Sequence, residues 1–185
     1  MKGRCIAISS GVLVALGAIY AGATISAQDR YTLKVPNGLA FSEFRGYESW
    51  QLVSISQDGG LIAATLANSV MIKAYLAGVP GNGKPFPDGA KLAKVHWNPT
   101  KMGTFPAATV PGTQHDMDFM VKDSKRFADS AGWGYGVFEI DPASGNFRLG
   151  NLSDKPPQGS DAKCGFTCHT KVKTQDYVFT AYGHR

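Results

Sequence analysis

Cysteine is scarce in this 185-residue chain: Cys5, Cys164 and Cys168 are all there is. Internal repeats and low-complexity stretches are absent, and no arginine-rich run occurs. The chain therefore offers no footprint for nucleic acid. Its formal net charge of +5 is modest and dispersed. Such a surface is mostly solvated, with enough basic character to meet an acidic redox partner.

The chain opens with a leader pattern. Met1-Lys2-Gly3-Arg4 is a short positive start, Cys5 to Tyr20 is apolar, and small residues run on through Ala27. Gln28-Asp29-Arg30 then begins ordinary polar sequence. This is the layout of a secretory signal peptide over residues 1–27, with cleavage expected after Ala27 and Ala23 as the alternative. The rival is an uncleaved membrane anchor, because the apolar run approaches spanning length. Its alanine and glycine content and its small-residue end favour cleavage. Residues 28–185 then form one domain, expected in the periplasm. Export removes Cys5, and it lowers the charge by two with Lys2 and Arg4. Two thiols in an oxidising compartment do not stay free. Cys164 and Cys168 either form a disulfide or are consumed by a prosthetic group.

Periodicity outlines an α+β domain, mainly antiparallel β with a few packed helices. Trp50 to Ser56 alternates and predicts a strand. Ala63 to Ala77 predicts the best helix, on a stripe of Ala63, Ala67, Val70, Met71, Ala74 and Ala77 closed by Gly78 and Pro80. Lys91 to Trp97 and Met117 to Val121 predict strands. Thr104 to Gly112 is rich in proline and alanine and is assigned to no element. Ser124 to Ser130 predicts one or two helical turns, and Trp133 to Ile140 is the strongest strand. Lys155 to Ser160 is a linker into the C-terminal loop.

That loop reads Cys164-Gly165-Phe166-Thr167-Cys168-His169. Two thiols followed by a histidine are the chemistry of covalent haem attachment. Each thiol adds to a vinyl group, and the imidazole reaches the iron from the same loop. The usual spacing has two residues between the cysteines, and here there are three. Gly165 is expected to absorb the extra residue with backbone angles that other residues avoid. Taken alone, the motif leaves haem c and a small Cys164–Cys168 disulfide loop equally open. Zinc lacks an obvious fourth ligand. Met71, Met102, Met117 and Met120 all lie upstream of the loop, so no methionine stands where an electron carrier needs one. His96, His115 and His184 are weak candidates for a sixth ligand, since a lone histidine is more often structural. A five-coordinate iron with an open face for a small molecule is expected.

Three segments carry a family resemblance: Phe86 to Val95, Val121 to Ala128, and Cys168-His169 through Asp176-Tyr177-Val178-Phe179-Thr180. In order and spacing the chain resembles the cytochrome P-460 and cytochrome c′-beta family of exported bacterial haem proteins. The resemblance implies a mainly antiparallel β fold, usually a homodimer, with one c-type haem per chain. It assigns the thioethers to Cys164 and Cys168 and the proximal iron ligand to His169. In the P-460 branch a lysine nitrogen is also bonded to a porphyrin meso carbon, and Lys94 is the matching position. Those proteins oxidise hydroxylamine to nitric oxide or nitrous oxide, and electrons pass to a soluble partner such as a c-type cytochrome. The c′-beta branch lacks the cross-link and binds nitric oxide beneath aromatic side chains.

Strand alternation sorts the lysines. Ala93, Val95 and Trp97 share one face, and Leu92, Lys94 and His96 share the other. Lys91 points the opposite way from Lys94, so a regular strand lets only one of them reach the porphyrin. Unaided, Lys94 reads as a surface lysine; the family position makes it the cross-link. An amine is nucleophilic only when neutral, which burial against a haem favours. Glu139 is weighed as a base for hydroxylamine oxidation, and a charge pointing to water is the favoured reading. Phe41, Phe44, Phe119 and Phe138 are core candidates, among which a cap over the open iron face is sought.

Overall fold

The computed structural model describes residues 29–150, 162–163 and 165–183. The expected signal peptide, the Lys155 to Ser160 linker, Cys164 and His184 lie outside the described residues.

Six strands form one antiparallel sheet in sequence order. They are β1 (Gln51–Asp58), β2 (Leu61–Ala67), β3 (Lys91–Met102), β4 (Phe105–Lys122), β5 (Trp133–Ile140) and β6 (Phe147–Leu149). Helix α1 (Ser69–Leu76) connects β2 to β3, and the short helix α2 (Phe166–His169) lies in the C-terminal segment. The α+β architecture expected from the sequence is the one observed.

Register decides which face each side chain serves. Thr65, Lys94, Asp118 and Val137 are partners across four strands. The neighbouring row on the same face is Ala67, Leu92, Met120 and Tyr135. On the other side of Lys94 the row is Ala63, His96, Asp116 and Glu139. Part of this face buries α1 and the C-terminal segment in a cluster that includes Met71, Tyr75, Leu92, Trp133 and Val178.

The opposite face carries an aromatic core. Phe41, Phe44, Phe119 and Phe138 are all buried there beside Ala93 and Val95. Phe119 stacks on Phe44 with ring centroids 4.0 Å apart and meets Phe41 edge-on at 5.1 Å. Replacing Phe119 with alanine is expected to cost about 3–5 kcal/mol in denaturant unfolding, because rings on several sides cannot collapse into the hole.

Two readings of the sequence are corrected. The stretch from Ala63 to Ala77 is not one helix: β2 runs to Ala67, and α1 starts only at Ser69. Asn68 makes the break, its Oδ1 accepting from Met71 N at 3.0 Å as the helix cap and from Lys91 N at 3.1 Å. The close of the helix is as expected, with Gly78 left-handed at φ +86°. The second correction concerns Thr104 to Gly112, which belongs to the 18-residue β4. This half of β4 pairs with the outer half of β3 in a largely exposed ribbon, with Pro99 opposite Pro111.

Candidate haem site

A cavity opens where the Lys94 row of the sheet meets the C-terminal segment. From the sheet it is lined by Leu92, Lys94, Asp118, Met120, Tyr135 and Val137. From the segment, Gly165, His169, Val178, Phe179 and Thr180 close it. Lys94 and His169, far apart in sequence, both line this cavity.

His169 ends α2 and is half-buried. Its Nδ1 lies 2.6 Å from the carbonyl oxygen of Tyr177. A carbonyl only accepts, so Nδ1 carries the proton and Nε2 keeps the lone pair that a metal takes. Burial lowers the pKa of the ring and outweighs the opposing Tyr177 bond, and the nearby Lys94 charge lowers it further. The ring is thus held neutral, as iron ligation requires. Tyr135 and Phe179 flank it, with ring centroids 4.8 and 4.9 Å away.

The Tyr177 carbonyl is aimed by an unusual turn. Asp176 and Tyr177 are both left-handed, at φ +49° and +63°. Such angles are unfavourable outside glycine, least so for aspartate. A buried clamp holds them. Lys122 Nζ donates to both carboxylate oxygens of Asp176 at 2.9 and 3.0 Å and to Ala131 O at 3.0 Å. Phe86 N donates to the same carboxylate at 2.7 Å. In the sequence Asp176 stands out only as a lone acid beside aromatic residues.

Cys168 precedes His169 on α2 and is half-buried. Gly165 corrects an expectation. Its backbone is right-handed, at φ −82° and ψ −14°, so no special angle is required. Space is what it supplies: a Cβ there would lie 2.7 Å from Tyr135 Cδ1. Gly165→Val is therefore expected to push the loop off Tyr135 and to lower the haem-to-protein absorbance ratio of the purified protein well below that of wild type.

Lys94 is half-buried, and among the described residues its Nζ has no hydrogen-bond or ion-pair partner. Lys91, its rival, is committed elsewhere. Its Nζ donates to Glu43 O at 2.5 Å and sits 5.5 Å from the centre of the Phe44 ring, on the aromatic face. Glu139 is paired with Arg148 at 3.0 Å and does not line the cavity. Of the four core phenylalanines Phe119 alone borders the cavity, and its ring, like those of Phe41, Phe44 and Phe138, packs in the core of the far face. The rings beside His169 are those of Tyr135 and Phe179.

The residues fit a haem c. A neutral imidazole with a fixed tautomer faces a cavity with apolar walls at Leu92, Met120, Val137 and Val178. A cysteine adjoins it on the same helical turn. The family comparison agrees with this chemistry: the model for cytochrome P-460 matches residues 44–180. The chain belongs to the cytochrome P-460 family. It is accordingly a c-type haem protein, with an iron centre that takes a small ligand. A search of curated proteins finds no match. The family's match starts beyond Tyr31, so the aromatic strap from Tyr31 to Phe41 that packs on the far face lies outside it.

Proposed function

We propose that this protein oxidises hydroxylamine in the periplasm, after export through a cleaved signal peptide, and passes electrons to a soluble c-type cytochrome. The observation that carries the reading is that Lys94 and His169 line one cavity on one face of the sheet. Bound haem c would supply redox-active iron to which a nitrogenous ligand could bind. In this reading His169 is the proximal ligand, its Nε2 presented because Tyr177 O holds Nδ1. Cys164 and Cys168 provide the thioether anchors. Lys94 would bond a meso carbon of the porphyrin, the cross-link that family resemblance implies. Leu92, Met120 and Val137 are apolar walls of the same cavity and would keep bulk water out of it, which strengthens the electrostatics inside. A homodimer is the expected assembly.

Steady-state turnover tests this. The purified protein, matured with haem, is mixed with hydroxylamine and an excess of oxidised acceptor. Continued acceptor reduction over many equivalents supports the reading. A single stoichiometric burst, with tight nitric oxide binding, replaces it with a c′-beta-like nitric oxide trap.

A further inference from the structure

One set of titratable groups remains outside this scheme. Asp118 lines the cavity beside its cross-strand partner Lys94. Its Oδ2 lies 3.9 Å from Nδ1 of His96. The same nitrogen is hydrogen-bonded to Oδ1 of Asp116. The other oxygen of Asp116 lies 2.7 Å from Nδ1 of His115, whose side chain is 47% exposed. Four groups on β3 and β4 thus step from the cavity wall to solvent.

We propose that Asp118, His96, Asp116 and His115 form a proton conduit between the haem cavity and bulk water, with Asp118 as the first acceptor. The inference rests on the hydroxylamine reading, which makes such a path necessary. Oxidation to nitric oxide runs NH2OH → NO + 3 H⁺ + 3 e⁻. The electrons leave to the acceptor cytochrome, and three protons must leave a cavity with apolar walls. Asp118 takes each proton at a carboxylate oxygen. The 3.9 Å step exceeds a hydrogen bond, so a small swing of the His96 ring, or one water, closes it. The His96 ring, its Nδ1 unprotonated, takes the proton on turning toward Asp118 and hands that same proton to Asp116 on turning back, and His115 releases it.

The two carboxyls are tuned in opposite directions, as proton donors and acceptors in series require. Burial raises Asp118 to about 6, against the lowering pull of His96 and Lys94 and with an added push from Asp116. Its side chain retains 40% of its accessible surface and is one of the residues that line the cavity. Burial also pushes Asp116 upward, but the bonds from His96 and His115 outweigh it, and Asp116 ends below its ordinary value. The remaining neighbours are Thr65 and Val137 in the Asp118 row, and Glu139 opposite Asp116, which Arg148 neutralises. The accepting form of Asp118 is the carboxylate. Turnover limited by this step therefore rises with pH through about 6.

The test uses the haem-loaded protein and the variants Asp118→Asn, Asp118→Glu and His96→Gln. Removing a positioned proton acceptor typically costs about 10²-fold or more, so kcat should fall by about that much in Asp118→Asn and His96→Gln. Asp118→Glu should recover part of the rate. Infrared spectra recorded against pH should show a carboxylic acid band that titrates near pH 6 and is missing from Asp118→Asn. Wild-type kcat and pH profile in Asp118→Asn overturn the proposal. Should wild type not turn over hydroxylamine at all, the functional reading fails and the conduit is judged separately. Proton uptake on haem reduction, followed with an indicator dye, is then slowed in the variants if the conduit exists and unaltered if it does not.

Discussion

Lys94→Ala, matured with haem, is expected to show the ferrous Soret band of an ordinary c-type haem, while the wild-type band is red-shifted. Both proteins should gain a haem-sized mass, because attachment through Cys164 and Cys168 does not depend on Lys94. Hydroxylamine turnover should fall by about 10²-fold, the loss that misplacing a reacting group by an ångström already produces. A nitrogen bonded to the macrocycle distorts it, shifting its spectrum and potential together. Lys91→Ala is the matched control. It removes a bond to Glu43 O worth about 1 kcal/mol on the far face and should leave the spectrum untouched. An ordinary spectrum in wild type as well would remove Lys94 from the chemistry and leave nitric oxide binding as the function. Absence of any haem-sized gain would mean that the three-residue spacing between the cysteines defeats attachment.

Much of this site was legible because strands alternate strictly. The side of β3 that carries Leu92, Lys94 and His96 followed from parity alone, and the register places those residues on the cavity face. β5 is found with the bounds its composition suggests, Trp133 to Ile140, because β-branched and aromatic residues there meet turns at both ends. Alanine misled the reading of Ala63 to Ala77. It fits a helix stripe and a packed strand equally well, and only the tertiary contact of Asn68 with Lys91 N resolves the two. The aromatic cap failed for a different reason. Phe119 and Asp118 are neighbours in sequence, so the strand sends the ring of Phe119 into the core, although the residue also borders the cavity that Asp118 lines. That same parity exposes Asp118 as an acid among Met117, Phe119 and Met120, a signal present in the sequence but unused. The relay through His96 needed register between β3 and β4, which no local pattern supplies.

The largest stability effect is expected at the clamp that aims His169. The Lys122 and Asp176 side chains are only 7% and 12% exposed, so neither charge can turn to water when its partner is lost. Breaking such a buried pair from one side costs about 3–5 kcal/mol, whereas replacing both partners with apolar groups is often neutral. Lys122→Met should therefore lower the unfolding free energy by about that amount. The Lys122→Met, Asp176→Leu double variant should recover most of the loss, although Phe86 N then loses its acceptor. Recovery of stability is not recovery of the site. Asp176 and Tyr177 hold left-handed angles that the carboxylate clamp enforces. Leucine at position 176 tolerates that conformation poorly. The turn relaxes, the Tyr177 carbonyl leaves His169 Nδ1, and the tautomer is no longer fixed. The double variant should accordingly fold nearly as well as wild type but ligate haem weakly, with an altered Soret band in acid titrations. A cycle measured by denaturant unfolding and by haem spectrum separates the two effects. If stability and spectrum recover together, the clamp serves the fold alone, and the strained turn is no part of how His169 is held.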